Sequence, residues 1–359
     1  MAHAINRRRL VGLVGLGVAA PLLPFGVPAA RAAERITVLN WQGYGTDEKW
    51  AVAEFTKKTG IEVAHDYFSS EPEMITKLRT NPGAYDVVLC NSARVSQVQA
   101  ENLLAPIDFA KIANAGGLAP KLRDNASLIM DGKTYGVSWV WGMTALAART
   151  GKGTLPDSWK SLSDPANKGR AALADDATAM IGIGALLTGQ DINAPTNFNA
   201  IKAELRLMKP DVKLLWSSED QWNKAFTADE FDVAPYWSGG AVRSIRRYKL
   251  PLAYIVPKEG AIGWLDSLTV PASSTKKDAA LAFINYMIDP GFYVQWVAKA
   301  GAPASAYASA MDLLPADDLN RVTYKTDYLQ QLQFQAPLSD DLRQQIGDLW
   351  EETKAFYAQ

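Results

Sequence analysis

An alternation of short apolar strands with amphipathic helices, repeated along the chain, is the strongest constraint on the fold. Residues 35–40, RITVLN, are the first predicted strand, and residues 46–60 follow as a helix with Thr46 as its N-cap and Gly60 as its stop. The same alternation continues through residues 61–104. Strands joined by helical crossovers pair in parallel, so the sequence predicts an α/β fold.

The pattern changes at residues 135–149, a long strand-like run with Gly142 in its middle. We interpret this run as a crossing into a second lobe, which has its own α/β set, and residues 251–271 as the return. Two crossings predict a hinged cleft between the lobes. The expected organisation is lobe 1 at 34–141 plus 265–310, lobe 2 at 142–258, and a helical C-terminal segment, 311–359, that packs on the lobes.

Residues 1–32 have the layout of an export signal. Three arginines at positions 7–9 precede an uncharged stretch whose apolar part is interrupted by two prolines. A membrane anchor needs about 20 continuous apolar residues, so we expect a signal peptide cleaved between Ala32 and Ala33 and a protein located in the periplasm. The run NRRRLVG is typical of a twin-arginine signal, and three arginines are also typical of an ordinary signal peptide.

Charge and composition disfavour several classes of function. Without residues 1–32 the chain has 33 Lys and Arg against 38 Asp and Glu, a balance that argues against a nucleic-acid partner and is compatible with a cationic ligand. Cys90 is the single cysteine, and His65 is the only histidine after residue 32. We therefore expect no catalytic triad, no metal site and no cofactor. GxSxG and HExxH motifs are absent, and we predict that the protein is not an enzyme.

The stretch GWLDSLTVP, residues 263–271, places a carboxylate on an apolar strand face. Period-two alternation puts Asp266 on the same face as Trp264, Leu268 and Val270. An unpaired carboxylate there costs on the order of several kcal/mol. Asp266 therefore lies at an edge, has an internal cation as its partner, or meets a cation from outside.

Aromatic and acidic residues also stand at the ends of other predicted strands, where open α/β sheets place ligands. NWQGYG contains Trp41 and Tyr44, and PYWSGG contains Trp237. These rings fit a ligand-binding surface and the covering of a sheet end equally well. In LADDATAM, one of Asp175 and Asp176 is expected to cap the following helix, and the other to face the cleft.

Six segments occur in the order and spacing of a known family: NWQGY, AYDVVLCNS, YGVSWVWG, LADDA, YWSGG and VPKEGAIGWLDSLTVP. Through them the chain resembles the periplasmic spermidine/putrescine-binding proteins of ABC importers, within the extracellular solute-binding proteins. The resemblance spans nearly the whole mature chain. It implies a two-lobed periplasmic binding protein fold of type II, whose lobes close on a ligand and then dock on a membrane permease.

The resemblance implies a role for seven residues. Four aromatic rings surround the ligand chain, two carboxylates hold its ammonium groups, and a serine adds a polar contact. In that order they are Trp41, Tyr44, Trp237 and Trp264; Asp176 and Asp266; and Ser218. Ammonium groups are stabilised by aromatic faces and carboxylates when water is excluded. The partner expected for Asp266 is therefore the ligand.

Three positions depart from the polyamine pocket of that family. Ala179 stands where a second acid is common, and Ala93 and Ala302 replace tyrosines. We therefore expect a shorter diamine, a bulkier amine or another cationic nitrogen compound in place of spermidine. The resulting hypothesis is a monomeric receptor for a cationic amine; the alternatives are a receptor for an amino acid derivative or an organic acid, and an exported enzyme.

Overall fold

The computed structural model describes residues 34–359, so the predicted signal peptide lies outside the described residues. The strands in this part of the chain are β1 (Arg35–Asn40), β2 (Glu62–Tyr67), β3 (Val87–Asn91), β4 (Ile129–Met130), β5 (Lys133–Thr134), β6 (Val137–Arg149), β7 (Ala171–Ala174), β8 (Val212–Trp216), β9 (Val233–Trp237), β10 (Leu252–Ile255), β11 (Ala261–Thr269), β12 (Ala304–Ser305) and β13 (Leu332–Phe334).

The helices alternate with these strands, as the sequence pattern predicts. They are α1 (Lys49–Thr59), α2 (Glu71–Thr80), α3 (Ser92–Ala100), α4 (Pro120–Arg123), α5 (Ala177–Leu187), α6 (Phe198–Leu207), α7 (Glu219–Thr227), α8 (Ser238–Tyr248), α9 (Lys277–Met287), α10 (Pro290–Lys299), α11 (Leu319–Thr323) and α12 (Asp340–Tyr357).

Helix α1 ends where the sequence predicts but begins later. Gly60 ends it with a left-handed φ of 76°. The N-cap is Glu48, so the prediction of Thr46 was wrong. The Thr46 hydroxyl is buried and accepts a hydrogen bond from Asn40 Nδ2 at 2.7 Å. Gly45, at φ 82°, keeps the chain in a turn before the helix begins.

Two blocks of parallel strands form one sheet, in the order β2-β1-β3-β11-β6-β9-β7-β8. Strands β1 to β3 run parallel to one another, as do β7 to β9. Between the two blocks, β11 pairs antiparallel with β3 and with β6, and β6 pairs antiparallel with β9. In each block the first strand lies in the middle and the second at the outer edge. The carboxyl ends of the parallel strands are the places where such sheets bind ligands.

Two hydrophobic cores divide the described chain into two lobes. Along β6, residues as far as Ala145 pack in the first core and Leu146 packs in the second. Along β11, Ile262 packs in the second core and Leu265 in the first. The predicted two-lobed α/β architecture with two crossings is confirmed. On β6 the change of core comes four residues after the boundary predicted at residue 141, and the lobe limits stay a prediction.

The C-terminal segment combines helices with a strand. Helix α12 packs on α5 and α6, and its Trp350 Nε1 donates to Asp175 Oδ1 at 3.0 Å. Strand β13 pairs in parallel with β11, which extends the sheet beside the crossing. The sequence pattern predicts a mostly helical segment and gives no signal for this three-residue strand.

Candidate functional site

Asp266 lies on β11 at the boundary between the two strand blocks. Its Cα pairs with Asn91 on β3 and with Val140 on β6, and its side chain is buried, with 8% of the residue exposed. Tyr44 Oη donates to Oδ2 at 2.9 Å, and Asn91 Nδ2 donates to Oδ1 at 3.0 Å. Within residues 34–359 this carboxylate has no cationic partner. Neither an edge position nor an internal cation therefore accounts for it.

Burial raises the pKa of Asp266 to about 6. Loss of water is the largest cause, the hydrogen bonds from Tyr44 and Asn91 act in the opposite direction, and the negative charge of Glu71 raises the pKa further. Desolvation favours the neutral acid, whereas a cation at this point favours the carboxylate. At neutral pH the cluster therefore holds a buried negative charge that an incoming cation stabilises.

Tyr44 is held in place by the loop that follows β1. Asn40 orders this loop, because its Nδ2 donates to the Tyr44 carbonyl oxygen at 3.0 Å and its Oδ1 accepts from the Trp41 N–H at 2.7 Å. The Tyr44 ring packs edge-on against Trp139 and Trp296, at centroid distances of 5.8 and 6.2 Å. Burial, followed by the adjacent carboxylate, raises the pKa of Tyr44 well above its ordinary value. Its hydroxyl therefore remains a neutral donor.

Trp264 is two residues before Asp266 on β11 and shares its face, as the alternation predicts. Its indole ring lies over Gly142 of β6, the residue with which it pairs. A Cβ at Gly142 would lie 2.1 Å from Trp264 Cζ2, so only glycine leaves room for the ring. The half-buried ring and the carboxylate are thus presented on one surface.

Trp41 and Trp237 lie at the carboxyl ends of β1 and β9, one in each block. Trp41 packs edge-on against Phe68 at a centroid distance of 4.4 Å, and Trp237 packs edge-on against Trp216 at 5.0 Å. Both rings are half-buried, which leaves part of each ring exposed. The two glycines of PYWSGG lie in the first turn of α8 instead of a loop, and a Cβ at Gly240 would lie 2.7 Å from a buried tyrosine ring.

Asp176 and Ser218 are helix N-caps. Asp176 Oδ1 accepts from the Ala179 N–H at 3.0 Å, and Ser218 Oγ accepts from the Gln221 N–H at 3.2 Å. Asp175 binds side chains of α12. Within the described chain neither cap forms a hydrogen bond with the Asp266 cluster, and both are exposed. Their ligand-binding roles stay predictions.

A cavity of about 150 Å³ adjoins the Asp266 cluster. Asn91 connects the two, since it lines the cavity and donates to Asp266. Ile262, on the same face of β11, also lines the cavity, as do Thr178 from α5 and Gln335 from the segment after β13. Both lobes and the C-terminal segment therefore contribute to its walls.

The three alanines leave parts of this region without polar side chains. Ala93 is half-buried and lines the cavity, and Ala179 and Ala302 are buried. The backbone groups of Ala93 and Ala302 are hydrogen-bonded to Asn91 and Asn320, respectively. Of the three, only Ala93 lines the cavity, and the effect of these alanines on the ligand stays a prediction.

Two asparagines of the site were missed in the sequence analysis. Asn91 ends β3, caps α3 by accepting from the Ala93 N–H at 3.0 Å, and binds Asp266 with its amide nitrogen. Asn40 orders the loop that carries Tyr44. An asparagine at the end of an apolar strand was the available signal in both cases, but it predicts a cap or a turn and not its distant partner.

The described residues contain neither a cluster of metal-binding side chains nor a membrane-spanning helix. Among residues 34–359, no three histidine, cysteine or acidic side chains gather where they would hold a metal ion. No helix in the same range has the length and apolar character that a bilayer crossing requires.

The family model of the bacterial extracellular solute-binding proteins matches residues 50–320, more than half of the chain. The chain belongs to this family. Its members are solute-binding proteins. The sequence resemblance to this family is thereby confirmed.

Known proteins place this solute-binding protein among polyamine-binding relatives. It is 30% identical over 306 residues to the spermidine/putrescine-binding periplasmic protein of Escherichia coli (strain K12). The aligned region covers 83% of this chain and 86% of that protein. It is 31% identical over 265 residues to spermidine/putrescine-binding periplasmic protein 1 of Haemophilus influenzae, which covers 72% of each chain.

A solved structure shares the fold over nearly the whole length. It is the spermidine/putrescine ABC transporter substrate-binding protein PotD from Streptococcus pneumoniae, with a TM-score of 0.82 and 22% identity. The match covers 90% of this chain and 99% of that chain. The type II two-lobed fold is therefore confirmed.

Proposed function

We propose that this solute-binding protein is the periplasmic receptor of an ABC importer and captures a small cationic amine between its lobes. The observation that carries the proposal is the buried Asp266 carboxylate, which receives only neutral hydrogen bonds from Tyr44 and Asn91. An ammonium group supplies the positive charge that the described chain lacks at this point. Trp264, on the same strand face, offers an aromatic surface to the same cation.

The remaining ligand contacts are proposed from their positions at strand ends. Trp41 and Trp237 come from different lobes, so closure would bring an aromatic ring to the ligand from each side. Asp176 and Ser218 precede helices of the second lobe and have exposed side chains. The complete proposed set is Trp41, Tyr44, Asp176, Ser218, Trp237, Trp264 and Asp266.

The proposal extends to location and partners. Relatives named as periplasmic support a periplasmic location. The mature protein is proposed to begin near Ala33, after removal of residues 1–32. The protein then acts as a monomer, delivers its ligand to a membrane permease and has no nucleic-acid partner. N-terminal sequencing of the exported protein tests the cleavage site, and light scattering tests the monomer.

Isothermal calorimetry with putrescine, spermidine and butylamine tests the ligand class. Wild-type protein is expected to bind at least one of these amines. Asp266→Asn is expected to lose on the order of 2 to 5 kcal/mol of binding free energy, because a buried charge-assisted contact disappears. Asp278→Asn is the matched control, since Asp278 is exposed and pairs with Lys111 on the surface. Wild-type protein that binds no compound with an ammonium group, γ-aminobutyrate included, or an Asp266→Asn variant of unchanged affinity, overturns the proposal.

A further inference from the structure

Arg94 lies in the wall of the cavity beside the Asp266 cluster. It belongs to the first turn of α3, and its Nε donates to Glu71 Oε2 at 2.6 Å. Within residues 34–359 its two terminal amino groups form no hydrogen bond, and 34% of its side chain is exposed. A guanidinium group with free N–H donors in a partly enclosed pocket is suited to bind a carboxylate.

Among the described residues, the cavity lining offers no unpaired carboxylate to a second ammonium group on the ligand. Arg94 and Arg343 contribute two guanidinium groups, and each already pairs with one carboxylate, Arg94 with Glu71 and Arg343 with Asp340. Ala179 at the start of α5 is apolar and buried. The far ammonium group of a diamine would therefore find no free acid in this cavity.

Asn91 connects the Asp266 carboxylate with the cavity that Arg94 lines. Its amide donates to Asp266, and it lines the same cavity as Arg94, three residues further along the chain. A carboxylate on one side and a guanidinium on the other are suited to hold opposite ends of one short molecule.

We propose that the ligand is a short ω-amino acid, with its ammonium group at Asp266 and its carboxylate at Arg94. The inference rests on the proposed function, because it keeps an amine at Asp266 and adds an anionic group at the other end. The free amino groups of Arg94 bind the ligand carboxylate, and Nε remains with Glu71. Arg94 is thus a specificity-determining residue for the second charge of the ligand.

Calorimetry with three ligands of one chain length tests the inference on the full mature protein. γ-Aminobutyrate, putrescine and butylamine have four carbons each and differ in the group at the far end. γ-Aminobutyrate is expected to bind about ten-fold or more tightly than putrescine, since its carboxylate gains charge-assisted hydrogen bonds from Arg94 where the second ammonium group of putrescine finds no free acid. A five-carbon set, with 5-aminovalerate, cadaverine and pentylamine, repeats the comparison for a longer cleft.

Arg94→Gln is expected to reverse this preference. The substitution removes the anion-binding group and leaves the Glu71 carboxylate free, so affinity for γ-aminobutyrate falls about ten-fold or more and affinity for putrescine rises. A structural loss alone would weaken all three ligands together. Arg94→Lys keeps the charge without the planar fork and is expected to fall between wild type and Arg94→Gln. Arg79→Gln is the control, because Arg79 pairs with Glu101 on the surface.

The outcomes separate this inference from the proposed function. Putrescine that binds wild-type protein as tightly as γ-aminobutyrate or more tightly, in both chain lengths, overturns the inference and leaves the amine receptor intact. An Arg94→Gln variant with an unchanged ratio of the two affinities also overturns it. Wild-type protein that binds none of the six ligands overturns the proposed function and the inference with it.

Discussion

The Trp264 ring lies directly over Gly142, its partner across the β11–β6 pair, with no room for a Cβ at residue 142. The indole position is therefore determined by a glycine on a neighbouring strand. Both strands cross from one hydrophobic core to the other. This contact thus couples the aromatic surface beside Asp266 to the crossing between the lobes.

Gly142→Ala is expected to weaken ligand binding by displacing Trp264. The new methyl group would lie 2.1 Å from Cζ2, and overpacking of this kind typically destabilises a protein by about 1 to 3 kcal/mol. Calorimetry and urea denaturation measure the two effects. Gly347→Ala is the control, since a Cβ there meets nothing within 4 Å in helix α12 and is expected to preserve or raise stability. Unchanged affinity in Gly142→Ala would mean that Trp264 does not contact the ligand.

Asp266→Asn is expected to stabilise the ligand-free protein at neutral pH. The pKa of this acid rises from 3.8 to about 6 on folding, so its ionised form opposes folding. The destabilisation is absent below about pH 4, grows between pH 4 and 6 and is complete above pH 6, where it reaches about 3 kcal/mol. Urea denaturation at pH 7.5 should show a gain of up to that amount, and the gain should vanish near pH 4. A loss of several kcal/mol at pH 7.5 would instead reveal a cationic partner within the protein.

Amine affinity is expected to fall as the pH drops below about 6. The ligand ammonium binds the ionised carboxylate, and Asp266 in the free protein takes up a proton in that range. Affinity should be constant above about pH 7 and decrease roughly ten-fold per pH unit well below pH 6. Calorimetry between pH 5 and 8 measures this profile. The Asp266→Asn variant should give a flat profile, and an equally steep one would assign the proton to another group.

Tyr44→Phe is expected to move that pH profile upward. The variant loses the hydroxyl that donates to Asp266 Oδ2 at 2.9 Å, and this bond lowers the pKa of the acid. The ring contacts with Trp139 and Trp296 are retained, so folding should persist. The affinity should begin to fall at a higher pH than in wild-type protein. Tyr286→Phe is the control, because the Tyr286 hydroxyl binds Glu54 away from the site. If the pH profile of Tyr44→Phe is the same as that of wild-type protein, the Tyr44 hydroxyl does not affect the pKa of the titrating group.

Local sequence signals predicted the features that depend on neighbouring residues. The alternation of strands and helices, the stop at Gly60 and the shared face of Trp264 and Asp266 follow from backbone periodicity and the conformations that glycine allows. The N-cap of α1 was mispredicted because Thr46 has a competing partner, the Asn40 side chain, which the pattern of the helix does not reveal.

The sequence by itself determined the α/β class, the two crossings and the presence of a carboxylate on an apolar strand face, because these depend on periodicities of two and about 3.6 residues. Only the tertiary structure decided which groups meet that carboxylate. Tyr44 and Asn91 are 222 and 175 residues away from Asp266 along the chain. Their contacts arise because β11 returns antiparallel beside β3 and the loop after β1 lies over it. Hydrogen-bond partners at such separations depend on strand order and register, which local periodicity does not encode.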